Sequence, residues 1–299
     1  MKYNKPPISV ADQLSLLKSR GLQVANDDAA KSYLSNISYY RLRAYTYPFQ
    51  NNADPNHPFT VLVSIEEIIS LYVFDRKLRM LVFDTIEKIE IAMRTQIIYT
   101  WAMKYGCHWH TDASLYRNSS LFAKHLTSLQ TEIERSNETF IEHYKKKYTN
   151  PLDPPCWMSL EVSSFGLLSL MFLNLKKDGG EKKEIAKYFG LNDVQLLENW
   201  MHCFSNIRNI CAHHGRLWNR RLTAHIKFPT YTKFIFLKNQ LVYPYKLYAA
   251  LACMQYVLQI ISPQNTFNLK LRELMKKCPL KQEKEMGFPS DWKDESLWQ

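Results

Sequence analysis

The chain has 299 residues, of which 46% are hydrophobic, so it can bury a sizeable core and is not expected to be disordered. Only 8 glycines are present, which argues against a turn-rich β architecture and predicts an all-α fold. The formal net charge of +11 favours a polyanionic partner, first of all RNA or DNA, over the alternative of a merely soluble basic protein.

Targeting and metal signals are weak. The N-terminal stretch MKYNKPPISVADQL has no apolar core of a secretory signal, and the longest apolar run, residues 162–175, is too short to span a bilayer. Six cysteines are scattered without a CxxC pair, and their spacings with histidine match no zinc finger. These features predict a cytoplasmic protein without membrane attachment, metal or cofactor.

Helices are predicted along most of the chain. Short helices are expected in residues 8–50, with a start near Asn26, and the turn-forming stretch NNADPNHP ends an N-terminal helical segment at residue 58. A domain of residues 59–280 follows, then a charged, loosely held tail of residues 281–299. The helices predicted in that domain cover residues 64–105, 119–148, 158–176, 181–189, 193–214 and 244–261.

The helix predicted over residues 193–214 carries the main functional signal. At about 100° per residue its apolar side chains form one face, and Arg208, Asn209 and His213 lie on the opposite face. Asn209 and His213 are four residues apart and close enough to touch, and Gly215 is expected to end the helix as its C′ residue.

These side chains suit the cleavage of a phosphodiester. The planar guanidinium of Arg208 matches a phosphate, and Asn209 is able to orient the imidazole of His213. A helix C-terminus favours an imidazolium, which suits a general acid. The spacing alone is weak evidence, because Arg220 and His225 repeat it, and a solvated helix end is the alternative.

One histidine cannot act as acid and base together. The second group is either a neighbouring histidine, His202 or His214, or the same motif of a second subunit across a two-fold axis. We favour the homodimer, because an isologous interface would bring two Arg-His sets into one cleft.

Four long blocks of the sequence are SYYRLRAYTYPF (38–49), LYVFDRKLRMLVFDTIEKIEIAMRTQI (71–97), PPCWMSLEVSSFGLLS (154–169) and NWMHCFSNIRNICAHHGRLWNR (199–220). In this order they resemble the Abi-type abortive-infection proteins of the AbiD/AbiF group, which belong to the HEPN superfamily. The resemblance covers most of the chain.

The resemblance implies an all-α HEPN-type helical bundle and a toxin-like, dimeric ribonuclease used in anti-phage defence. It assigns the catalytic motif of Arg, four to six residues and His to Arg208, Asn209 and His213. It also implies control by a small noncoding RNA. Some HEPN domains only bind RNA or partners, so a non-catalytic RNA-binding module is the alternative function, and a DNA-binding regulator is a weaker third.

Further residues are candidates for supporting roles. Glu87, Glu90 and Arg94 either reach the Arg-His helix and orient Arg208 or form a simple helical ion pair. Arginines and tyrosines are expected to bind RNA through their positive charge and their rings. Alternatively, the tyrosines fill the core with their hydroxyl groups at its rim. The candidate RNA-binding residues are Arg216, Arg220 and Arg221 after the motif, and Tyr40, Arg41 and Arg43 in the N-terminal segment.

Overall fold

A computed structural model describes residue 2, residues 6–239 and residues 242–299. The fold is all-α as predicted: the structure is 62% helical, with twelve α-helices and no strand among these residues. Within the same residues, no helix combines the length and the apolar character needed to cross a membrane. The chain forms two compact units, and the division between them falls inside a long helix, after Arg79, and not at residue 58.

The first unit runs to Arg79 and includes Glu273–Lys284. Asn26 caps its second helix by accepting hydrogen bonds from the backbone N–H groups of Asp28 and Ala29, at the predicted place. Ser38, with φ of +70°, separates this second helix from the third. The helices that begin in this unit are α1 (Val10–Ser19), α2 (Asp27–Ile37), α3 (Tyr39–Thr46) and α4 (Ile65–Tyr105).

The second unit covers Met80–Arg272 and Glu285–Gln299. It contains the C-terminal half of α4, whose length follows from the absence of Gly and Pro in this part of the sequence. Its further helices are α5 (Ser119–Arg135), α6 (Thr139–Lys147), α7 (Cys156–Ser159), α8 (Phe165–Asn174), α9 (Glu181–Tyr188), α10 (Val194–Ala212), α11 (Leu247–Ile261) and the first part of α12 (Phe267–Met275).

Two predicted helices are each divided in two. The stretch 119–148 breaks between α5 and α6, and the stretch 158–176 is interrupted before α8. The second break has a local cause, because Ser164 caps α8 by accepting from the N–H of Leu167 at 3.4 Å. Glu132 of α5 holds this corner by accepting a hydrogen bond from the Ser164 N–H at 2.7 Å.

The C-terminal tail is packed, which corrects the prediction of a loosely held segment. Trp292, Leu297 and Trp298 are buried, and the indole N–H of Trp298 donates to the hydroxyl of Tyr248 at 3.1 Å. Buried aromatic side chains of this size anchor a segment even where its backbone forms only short 3-10 turns.

Helix α10 belongs to the second unit and packs against α8, α9 and α11. Its buried face carries Trp200, Phe204 and Ile207, each no more than 1% exposed. The opposite face reaches the surface at the C-terminal end of the helix. The packing of α10 therefore determines which of its polar side chains meet solvent.

Candidate functional site

Arg208 is held at the surface by a carboxylate from α4. Its Nε lies 3.8 Å from Oε2 of Glu90, and its guanidinium lies 5.7 Å from the ring centroid of Phe83. About a third of the Arg208 side chain, 35%, stays exposed. The cation is therefore oriented from one side and open to solvent on another.

Glu90 is itself fixed by a second arginine. Nη2 of Arg94 donates to Oε1 of Glu90 at 2.8 Å and also to the backbone carbonyl of Ser163 at 2.7 Å. Glu90 and Arg94 are both buried, so this bridge is shielded from water. The structure shows that Glu90 reaches Arg208, as the sequence suggested, and that it forms a helical ion pair with Arg94 as well.

Glu87 has no such role. Its side chain is exposed, and among the described residues it forms no ion pair within 4.0 Å. Glu87 lies one turn before Glu90 and faces solvent, so only Glu90 and Arg94 of the three predicted supporting residues lie at the site.

Asn209 and His213 are both exposed, one turn apart, on the outer face of α10. The Asn209 side-chain oxygen lies 3.5 Å from Nη1 of Arg208, a long hydrogen bond. The imidazole of His213 makes no hydrogen bond to any described residue, so the expected contact with Asn209 is not formed. The imidazole is therefore open to an incoming ligand.

The end of α10 is a Schellman motif, and the residue in the left-handed conformation is His214. The N–H of His214 donates to the carbonyl of Cys211 at 3.1 Å, and the N–H of Gly215 donates to that of Ile210 at 2.8 Å. His214 has φ of +55°, a strained value for a residue with a side chain. The prediction that Gly215 is the C′ residue is wrong: it follows one position later.

Gly215 is nevertheless closely packed. A Cβ at this position would lie 3.2 Å from the carbonyl oxygen of Ile210 and 3.3 Å from Nη1 of Arg220. The motif thus turns the chain sharply directly after His213, and the guanidinium of Arg220 returns to the helix end at Gly215.

His202 does not lie near His213. It is exposed on α10, with Nε2 3.3 Å from the side-chain nitrogen of Asn206. Eleven residues separate it from His213, about 16 Å along a helix axis. His202 therefore cannot act on the same phosphorus atom as His213 within one chain, and His214 is the neighbouring histidine that remains.

The three arginines after the motif differ in their surroundings. Nη1 of Arg220 donates to the backbone carbonyl of Arg216 at 3.0 Å, and the guanidinium of Arg216 lies 5.8 Å from the ring centroid of Trp218. Arg221 is exposed and lies 3.9 Å over the ring of Tyr245, a close cation–π contact. All three place positive charge within nine residues of His213.

The N-terminal candidates belong to the first unit. Tyr40 and Arg41 are exposed on α3, with Tyr40 86% exposed. Arg43 is half-buried, 3.5 Å from Nε2 of His57 and 5.8 Å from the ring centroid of Tyr47. Their contact with RNA stays a prediction.

The two cysteines of α10 do not favour a metal site. Cys203 and Cys211 are buried, and burial raises the pKa of the Cys203 thiol to about 12, which disfavours a metal-binding thiolate. Across the described part of the chain, no three His, Cys, Asp or Glu side chains are grouped to hold a metal ion.

Two supporting residues were not found from the sequence. Phe83 precedes Glu90 by seven residues, a spacing that places both on one face of α4 and that was available as a signal. Ser163 acts through its backbone carbonyl and lies 69 residues from Arg94, so no local pattern could identify it.

A family model described as Abi-like protein matches residues 32–219, which is more than half of the chain. The matched range contains Glu90 and Arg94 of α4 and ends six residues after His213. No curated protein and no solved structure matches the chain.

Proposed function

The chain belongs to the family of Abi-like proteins, which are proteins of the abortive-infection type, and from this premise we propose that it is a metal-independent HEPN endoribonuclease. It cleaves RNA in the cytoplasm during anti-phage abortive infection, in the manner of a toxin. One observation carries the proposal: Arg208 is oriented by a buried carboxylate yet open to solvent, at the same helix end as an unbonded His213.

The proposed chemistry needs a cation, a base and an acid, and no metal ion. The 2′-hydroxyl of the RNA attacks the adjacent phosphorus atom, and a base removes its proton. Arg208 stabilises the charge that develops on the phosphoryl oxygens. An imidazolium then protonates the leaving 5′-oxygen. The products are a 2′,3′-cyclic phosphate and a 5′-hydroxyl end, so the reaction consumes no water in this step.

Two imidazoles are required, one as base and one as acid. We expect the second to be His213 of a partner subunit in an isologous homodimer, since His202 is too distant within the chain. His214 is the alternative within one subunit. An excess of a His213→Ala variant should inhibit the wild-type enzyme if the site is shared, and should leave its rate unchanged if each chain acts alone.

Cleavage of labelled RNA in the presence of EDTA tests the reaction. We expect wild-type protein to cleave under chelation, and His213→Ala to lose activity by about 10²–10⁴-fold, as for other general acid–base residues. His225→Ala is the matched control, because His225 follows Arg220 at the same spacing and is exposed. Loss of cleavage on chelation, or equal rates for the two variants, would contradict the proposal.

A second function is favoured by one observation. Asn209 and His213 are not hydrogen-bonded, so nothing described orients the imidazole before RNA arrives. A non-catalytic RNA-binding module, controlled by a small noncoding RNA, needs no such orientation. It predicts that His213→Ala keeps its protection against phage, whereas the nuclease predicts that protection disappears.

A further inference from the structure

A lysine-lined cavity lies at the opposite end of α10 from His213. Its volume is about 750 Å³, within the range of small-ligand sites. It is bounded by α9, the turn at 190–193, the first turn of α10 and the stretch 231–233. We call it the lysine pocket, after the four lysines that line it: Lys177, Lys183, Lys187 and Lys233.

The charge of the lysine pocket is largely uncompensated. Lys183, Lys187 and Lys233 are exposed, and among the described residues none of them forms an ion pair within 4.0 Å. Lys177 alone has an acidic partner, Glu198, at 3.3 Å. Four positive side chains therefore face a single acidic one in the lining, Asp193.

Asp193 does not neutralise the lysines. Its carboxylate accepts a hydrogen bond from the N–H of Gln195 at 2.8 Å and caps α10. The cap also occupies the N-terminus of the helix, so an anion in the pocket would be bound by lysine side chains and not by the helix end.

Two of the lysines repel each other electrostatically. Lys183 and Lys187 are four residues apart on α9 and lie on one face of the helix, where like charges repel. A bound anion between them would remove this repulsion. An acidic residue at either position would instead stabilise the helix.

The pocket has a rigid floor. Gly190 has φ of +65°, and a Cβ there would lie 2.6 Å from the hydroxyl of Tyr256 and 2.9 Å from Phe234. The Tyr256 hydroxyl donates to the carbonyl of Gly190 at 2.8 Å. This close approach fixes the turn against the stretch that carries Tyr231, whose ring is 66% exposed at the pocket.

We propose that the lysine pocket binds a nucleotide, with its phosphate on the lysines and its base stacked on Tyr231. Lysines supply the charge and an exposed aromatic ring supplies a stacking surface, a combination that suits a nucleotide unit. The nucleotide comes either from single-stranded RNA or from a free nucleoside triphosphate. The site lies about 28 Å from the other end of α10, so it does not depend on the proposed nuclease chemistry.

Binding to wild-type full-length protein tests the two sources. The probes are a fluorescent 2′-O-methyl RNA, which lacks the attacking hydroxyl and cannot be cleaved by the proposed route, and ATP. The variant is Lys183→Ala/Lys187→Ala. The matched control is Lys124→Ala/Lys270→Ala, which removes the same charge from exposed positions elsewhere in the second unit.

If RNA is the source, the pocket variant weakens RNA binding by about tenfold at low salt, and the slope of log affinity against log salt becomes less negative by about 1.4. If a free nucleotide is the source, ATP affinity falls and RNA affinity does not. Tyr231→Ala should weaken the same ligand about fivefold or more while leaving pyrophosphate binding unchanged. Equal behaviour of the pocket and control variants with both probes would overturn the proposal.

A second measurement needs no variant and covers the case in which one fails to fold. Lysine acetylation of wild-type protein, read by mass spectrometry, should be slowed at Lys183 and Lys187 by the bound ligand and unchanged at Lys270. Protection that is equal at all three positions would also overturn the proposal. A variant that loses ligand binding at the pocket but still cleaves RNA, or one that binds the ligand but no longer cleaves, would show that the two sites act independently.

Discussion

Near each end of α10, a buried glutamate bridges two cations, but the two bridges differ in how exposed their cations are. Near the N-terminal end, Glu198 pairs with Lys182 at 2.8 Å and with Lys177 at 3.3 Å. Near the C-terminal end, Glu90 of α4 pairs with Arg94 at 2.8 Å and approaches Arg208 at 3.8 Å.

The difference lies in where the cations point. The side chain of Lys182 is fully buried, and it also donates to the carbonyl of Leu173 at 3.2 Å, so that bridge ties elements of the core together. Arg208 keeps a third of its side chain in solvent. The same kind of bridge therefore holds structure at one end and presents a cation at the other.

Removing Glu198 should have the largest effect, because it leaves Lys182 buried without its carboxylate. We expect Glu198→Ala to lower the free energy of unfolding by about 3–5 kcal/mol. Chemical denaturation measures this, with Glu134→Ala, at an exposed position on α5, as the control. The double variant Glu198→Ala/Lys182→Met should recover much of the loss; no recovery would mean that the buried charge is not its cause.

Removing the carboxylate of Glu90 should lower cleavage if the proposed nuclease is correct, and it should also lower stability, because the buried Arg94 loses its charged partner. We expect Glu90→Gln to lower kcat/KM by about 10–100-fold, as for other residues that orient a catalytic group. Glu87→Gln is the control, since Glu87 lies one turn away and faces solvent. Equal effects of the two substitutions would show that Arg208 is not positioned by Glu90.

The pH dependence of stability should reveal the buried lysine. Burial lowers the pKa of Lys182 to about 8, whereas an unfolded lysine titrates near 10.4. Between these values the unfolded chain binds the extra proton, so this group makes stability rise with pH, by at most about 1.4 kcal/mol per pH unit. Burial raises the pKa of the Cys203 thiol, which has the opposite effect above pH ~9.

The difference between wild type and Lys182→Met isolates the lysine contribution, because the cysteines are common to both. Denaturation at a series of pH values from about 8 to 10 should show a steeper rise for the wild type. Parallel curves of stability against pH would mean that Lys182 stays protonated in the folded protein throughout this range.

The smallest effect concerns the C-terminal end of α10. His214→Gly should stabilise the protein by about 1 kcal/mol, since glycine adopts a positive φ without strain. Gly215→Ala should destabilise it, because the new Cβ would press on Ile210 and Arg220. Thermal unfolding compares the two, and unchanged cleavage by His214→Gly would exclude His214 as the second imidazole.

Long, regular elements could be predicted from the sequence. Helix α10 was expected over 193–214 and runs from Val194 to Ala212, and α4 was expected over 64–105 and starts at Ile65. Both have strong apolar periodicity and no Gly or Pro, so local pattern and tertiary packing agree.

Short elements were harder to predict. The break between α5 and α6 contains neither Gly nor Pro. Helix α12 was not predicted, although Phe267, Leu271 and Met275 recur four residues apart and are buried. The packed tail forms only short 3-10 turns, which are too short to show a helical period. The tail is held by Trp298 against Tyr248, 50 residues away. Contacts of this kind override local propensity and leave no trace in a single sequence window.

The candidate site could be predicted only in part, because some of its features depend on long-range contacts. Helical periodicity turned Arg208, Asn209 and His213 away from the core, and in the structure Asn209 and His213 are exposed and Arg208 is partly exposed. It could not predict that His214 takes the left-handed position or that Ser163 anchors Arg94, because both depend on how the chain folds back.

The approach of Glu90 to Nε of Arg208 has an entropic consequence. A free arginine side chain carries about 2 kcal/mol of rotamer entropy, much of which is lost when it grips a ligand. Contact with Glu90 and Phe83 restricts Arg208 before any ligand arrives and leaves the outer edge of its fork accessible. A phosphate that meets this edge therefore binds a side chain that is already partly ordered, so less conformational entropy is lost on binding.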